Sequence, residues 1–141
     1  HRVDRRQRQM CIRDSRMDKV YAWKSMLDMG IHTSGGSDAP VVSFDAMENI
    51  YFAVTRKNIS GQPQEGWIPS EKMSVDEAVK LFTKNAAYAS YTEKENGTIE
   101  TGKNADLVVL EKDIYSIDPD EIKTVKVDMT VLGGKVVFER E

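Results

Sequence analysis

An aspartate set among glycines is the residue of this chain best suited to chemistry. Asp38 closes the run Ser34-Gly35-Gly36-Ser37-Asp38 and is followed by Ala39-Pro40. Glycines let a backbone bend sharply and come close to a ligand. A carboxylate at such a bend can ligate a metal and take a proton from metal-bound water. A bound metal brings the pKa of that water to about 7, so a modest base is enough to make hydroxide. The competing reading is a plain turn or helix cap, which an aspartate after Gly-Ser more often is.

The other candidates carry less. Ser34 to Ser37 has the look of a phosphate-cradling loop but lacks the P-loop lysine and the glycine spacing of a dinucleotide fingerprint. His32 lies three residues before Gly35, and a lone histidine there is more often a packing or supporting residue than a ligand. No H-x-H, H-E-x-x-H or paired-cysteine spacing occurs in the sequence. Zinc needs three or four protein ligands, so this chain cannot build a metal site by itself. Asn58-Ile59-Ser60 and Asn96-Gly97-Thr98 match the glycosylation pattern, which means little without a secretory signal. Arg56 could bind an anionic group, but at the end of a helix it is more often a solvated charge stabilising the C-terminus.

The elements that must position Asp38 are legible around it. Met17, Val20, Tyr21, Trp23 and Leu27 fall at three- and four-residue spacings and predict a helix, with Gly30 as its stop. Ile31 to Ser34 reads as a brief strand leading into the glycine turn, so the unit is α/β. Met47, Ile50, Tyr51 and Val54 give one apolar face of a second helix, capped by Ser43 or Asp45. Asn58 to Pro69 reads as a loop. Ser74-Val75-Asp76-Glu77 is a capping box, and Val75, Ala78, Val79, Phe82 and Ala86 form the buried stripe behind it. Lys84-Asn85 is expected to interrupt that helix, with Asn85 capping a short successor.

Beyond Gly97 the period changes to two. Leu107-Val108-Val109-Leu110 has the form of a buried strand, and Val125, Val127, Met129 and Val131 alternate with polar residues as a half-buried one. Gly133-Gly134 is a two-residue hairpin signal, with Val136-Val137-Phe138 as the return strand. Three segments follow: a leader over residues 1–16, an α/β part over 17–92 and a small β part over 93–141.

Charge and composition narrow the function class. The chain has 141 residues and a net charge of −3, with six of its arginines inside the first 16 positions. Residues 17–141 hold 14 basic and 21 acidic side chains, which leaves that body at −7. An acidic body repels nucleic acid and anionic membrane surfaces. No run approaches the ~18 apolar residues of a membrane span, and no apolar core of a signal peptide follows the basic start. The single cysteine, Cys11, makes no internal disulfide and fits a reducing, cytoplasmic setting. Arg8-Gln9-Met10-Cys11-Ile12-Arg13-Asp14-Ser15 resembles translated sequencing-adapter sequence of the kind left by metagenomic assembly. The leader is therefore expected to be non-native and disordered, and Cys11 no nucleophile.

Several motifs together resemble one family. Gly30-Ile31-His32-Thr33-Ser34-Gly35-Gly36-Ser37-Asp38-Ala39-Pro40-Val41 looks like the last barrel strand of the amidohydrolase superfamily, closest to its family 3 branch. Ala53-Val54-Thr55-Arg56 resembles the helix that follows. Ser74 to Ala78 and Asn85-Ala86-Ala87 resemble the last barrel helices. Gly97 to Leu110 is similar to the branch's Gly-x-Ile-x-x-Gly-Lys-x-Ala-Asp-Leu-Val-Val-Leu signature, and Val131 to Val137 to its closing hairpin.

The resemblance implies the C-terminal portion of a (β/α)8 metal-dependent hydrolase barrel, followed by strands of a composite β-sandwich domain. Asp38 would be both catalytic acid/base and metal ligand, and the whole protein would hydrolyse C–N bonds in small amides, imides or formamides. A divalent metal, zinc, is expected in the full-length protein and none in this chain alone, which should be inactive and poorly stable. The rival readings are a non-enzymatic β-rich binding or assembly module and a phosphate-binding domain using Ser34 to Ser37. The sequence leaves the substrate and the oligomeric state open.

Overall fold

The computed structural model describes residues 20–141. The arginine-rich leader and Met17 lie outside the described residues. Among the described residues four helices come first: α1 (Trp23–Asp28), α2 (Ala46–Thr55), α3 (Val75–Phe82) and α4 (Lys84–Ala89). Three strands follow, β1 (Leu107–Leu110), β2 (Val127–Leu132) and β3 (Lys135–Glu139), with short 3-10 turns at Pro69–Glu71 and Pro119–Thr124. The chain thus mixes helices and sheet, as its two periodicities require.

Helix α2 is the centre of the core. Its expected face is buried, with Ile50 and Tyr51 at 3% and 0% exposure and Met47 and Val54 beside them. Asp45 caps it, accepting from the Met47 N–H at 2.8 Å. Packed on α2 is the 3-10 turn Pro119–Thr124, whose Ile122 is fully buried. The sequence reading missed this turn because one short turn carries no apolar period. Helix α3 opens on the expected capping box, the Glu77 N–H donating to Ser74 Oγ and Glu77 accepting from the Ser74 N–H.

The sheet is antiparallel, in the order β1-β2-β3. Gly133 and Gly134 both take positive φ, +56° and +78°, as a two-residue hairpin of the right twist needs. The strands are less covered than their sequences suggest. Val108 and Val109 are 56% and 48% exposed, so β1 is not the buried strand its apolar run predicted. Nothing among the described residues lies over both of its faces.

Two further expectations fail near Asp38. The first helix is shorter than the Met17–Leu27 spacing implied, because Tyr21 takes φ +54° and Val20 and Tyr21 form a turn before α1. Ile31 to Ser34 does not form a strand. A strand needs a ladder partner, and here the segment bonds to helix ends instead.

Candidate functional site

Asp38 sits in an exposed turn at φ +52°, and its carbonyl accepts from the Val41 N–H at 2.9 Å. The left-handed backbone is tolerated by an aspartate better than by most residues. The segment before it is fastened to α3 and α4. The Gly35 N–H donates to the Leu81 carbonyl at 3.0 Å, and Asn85 Nδ2 donates to the Thr33 carbonyl at 2.9 Å. Asn85 is therefore not the helix cap its position suggested. Thr83 stands at that position without a side-chain cap. His32 is exposed and stacks on Tyr88, ring centroids 4.5 Å apart, a packing role rather than a ligand's. With the Gly35 amide committed to Leu81, a phosphate cradle at Ser34–Ser37 lacks one of its donors.

Arg56 is where sequence and structure differ most. It is 8% exposed, far from the solvated charge that its place after α2 suggested. Its guanidinium lies 5.3 Å from the Trp23 ring and 5.2 Å from the Trp67 ring. Nε donates to the Trp67 carbonyl at 3.0 Å and Nη1 to that of Tyr21 at 3.3 Å, while buried Nη2 has no hydrogen-bond partner. Burial draws the pKa of this guanidinium down, and the charge of Glu71 opposes it. Glu71 is itself 5% exposed. It accepts from the Ser25 N–H at 3.0 Å and from Ser25 Oγ. Burial pushes the Glu71 carboxyl up, yet the bonds from Ser25 and the charge of Arg56 together hold it below the usual range. No sequence signal marked Glu71. Through these separate bonds the two residues tie α1, the Trp67 loop and the Pro69–Glu71 turn to the end of α2, and so hold the helix leading to Asp38.

An open apolar groove of about 1140 Å³ runs between the helices and β1, lined by Ile50, Val79, Phe82, Leu107, Val109 and Tyr115. Asp38 is not among its lining residues. Among the described residues no three His, Cys, Asp or Glu side chains gather as a metal site would require. The donor set here, one exposed carboxylate, therefore does not by itself fit a zinc ion. No helix among the described residues is long and apolar enough to cross a membrane.

A sequence profile of the amidohydrolase family matches residues 2–138. The chain belongs to this family, in its family 3 branch. Members of the family generally use a divalent metal. The chain is 38% identical over 125 residues to YtcJ of Bacillus subtilis strain 168, covering 89% of this chain and 24% of that one. It is 36% identical over 122 residues to an N-substituted formamide deformylase of Arthrobacter pascens, covering 86% and 22%. In fold it is similar to an amidohydrolase from Thermotoga maritima MSB8, with a TM-score of 0.61 at 23% identity over 88% of this chain and 26% of the other. The chain thus spans about a quarter of the length of the relatives it matches.

Proposed function

We propose that this chain is the part of a C–N bond hydrolase that carries its acid/base carboxylate, Asp38. The carrying observation is that Asp38 stands exposed in a left-handed turn at the end of a segment clamped to two helices, in a chain of the amidohydrolase family. Water adds to the carbonyl carbon of a small amide, imide or formamide while its proton passes to the Asp38 carboxylate. Asp38 then hands that proton to the nitrogen as the C–N bond breaks, leaving an acid and an amine, or an acid and an amide where the substrate is an imide. The similarity to the Arthrobacter deformylase supports a formamide-type substrate.

In this reading residues 17–92 are the last part of a (β/α)8 barrel and residues 93–141 are strands of a composite β-sandwich. The likeness to a quarter of the Thermotoga fold supports that assignment. Asp38 is one ligand of a zinc ion whose remaining ligands come from outside residues 20–141. The chain alone is inactive, because a single carboxylate holds no zinc ion.

The test compares the complete protein with its Asp38→Asn variant for hydrolysis of an N-substituted formamide and of simple amides, with metal content measured alongside. Turnover is expected to fall about 10²–10⁴-fold in the variant, the usual contribution of a positioned acid/base. Equal turnover in both proteins refutes the assignment.

A further inference from the structure

We propose that the break between α3 and α4 is a docking device for the segment that carries Asp38, and that Asn85 is a positioning residue for Asp38. In an uninterrupted helix the Leu81 carbonyl would accept from the N–H four residues on, that of Asn85. The chain breaks before this can happen. Helix α3 ends at Phe82, Thr83 takes φ −123° and ψ −96°, and α4 begins at Lys84. Two groups that a continuous helix would have used internally or aimed elsewhere now face the incoming segment. The Leu81 carbonyl, one of the orphan acceptors of a helix end, takes the Gly35 N–H at 3.0 Å. The Asn85 side chain, one residue into the new helix, donates to the Thr33 carbonyl at 2.9 Å.

Two packing contacts flank these bonds. Gly35 lies so close to the Phe82 ring that a Cβ there would stand 2.7 Å from Cζ. One turn beyond Asn85, Tyr88 stacks on His32. The segment is thus gripped at residues 32, 33 and 35 by Leu81, Phe82, Asn85 and Tyr88. Asp38 follows Gly35 by three residues, a reach of at most about 11 Å even when fully extended. Holding the segment therefore limits where the carboxylate can be. A misplacement of about 1 Å at a reacting group costs on the order of 10²-fold in rate. The positioning role rests on the reading of Asp38 as the acid/base, whereas the docking does not.

The experiment uses the complete protein and two readouts: hydrogen–deuterium exchange of peptides spanning residues 31–38, and kcat and KM on an N-substituted formamide. Asn85→Ala removes one bond, and exchange in the segment is expected to rise about tenfold. The same variant should lower kcat about 10- to 100-fold with KM essentially unchanged, the signature of a displaced reacting group. Gly35→Ala perturbs the same grip from the Phe82 side and should give the same pair of changes, so the proposal stays testable if Asn85→Ala does not fold. Val137→Ala is the control, since Val137 is exposed on β3 and outside the segment, and neither readout should move. Unchanged exchange in both Asn85→Ala and Gly35→Ala overturns the docking. Faster exchange with wild-type kcat and KM overturns the positioning role. A wild type with no more turnover than Asp38→Asn overturns the acid/base reading, and with it the positioning role, while the exchange result still decides the docking.

Discussion

Arg56→Ala tests whether a charged residue holds the helical half of this protein together. The guanidinium donates two hydrogen bonds to carbonyls, of Trp67 and Tyr21, and lies over two indole rings. A charged donor is worth about 1.5–3 kcal/mol per bond and each ring about 0.5–2 kcal/mol. Against this stand the burial of the cation and the unpartnered Nη2, which costs about 1–3 kcal/mol. Truncation also leaves the buried Glu71 carboxylate without its nearby positive charge. The net loss expected is about 3–5 kcal/mol, the two bonds and two ring contacts less the cost of burying the cation and its unpartnered Nη2. Two companion variants divide the effect. Arg56→Met keeps the packed stem and should cost less than alanine by about 1–2 kcal/mol. Arg56→Gly should be about 1 kcal/mol milder than alanine on backbone grounds, because φ at this position is +58°. The assay is equilibrium urea unfolding followed by circular dichroism. An Arg56→Ala protein within about 1 kcal/mol of wild type refutes the reasoning and returns Arg56 to the solvated charge that its sequence position suggested.

Two further outcomes are expected. Ile122→Ala empties a fully buried site against α2 and should cost about 2–5 kcal/mol in the same unfolding assay; a cost under about 1 kcal/mol would mean the 3-10 turn does not contribute to the core. Glu71 has its carboxyl held below the usual range in the fold, so its contribution is present above the unfolded carboxylate pKa and is lost as pH falls through the folded value. The unfolding free energy of Glu71→Gln should therefore depend less on pH in the acid range than that of wild type, and parallel curves would count against it.

What could be read ahead in the sequence was local. The face of α2 shows in the spacing of Met47, Ile50, Tyr51 and Val54, the start of α3 in Ser74 and Glu77, and the hairpin in two adjacent glycines. Each is decided within a few residues. What was missed depends on partners far along the chain. Arg56 is buried by Trp23 and Trp67, neither of them on its helix. Ile122 is buried by α2, which precedes it by about half the chain. Ile31 to Ser34 has the composition of a strand, but its hydrogen bonds go to Met26 and Asn85, and that of Gly35 just after it to Leu81, rather than to a ladder. For the candidate site, the turn at Asp38 was legible because glycines announce turns. The groups that hold it were not, because nothing in the local pattern of Asn85 says which carbonyl its side chain will find.

The Arg56 cluster has an optical consequence. The chain has two tryptophans, and both lie against the same guanidinium, while the sheet contains none. Intrinsic fluorescence of this protein therefore reports the opening of one small region beside the end of α2 and is nearly blind to β1, β2 and β3. Circular dichroism reports the whole backbone. Coincident transitions by the two probes would show that the helical half and the hairpin unfold as one unit. A fluorescence change completed before the dichroism change would show that the indoles come off their cation while the hairpin still stands.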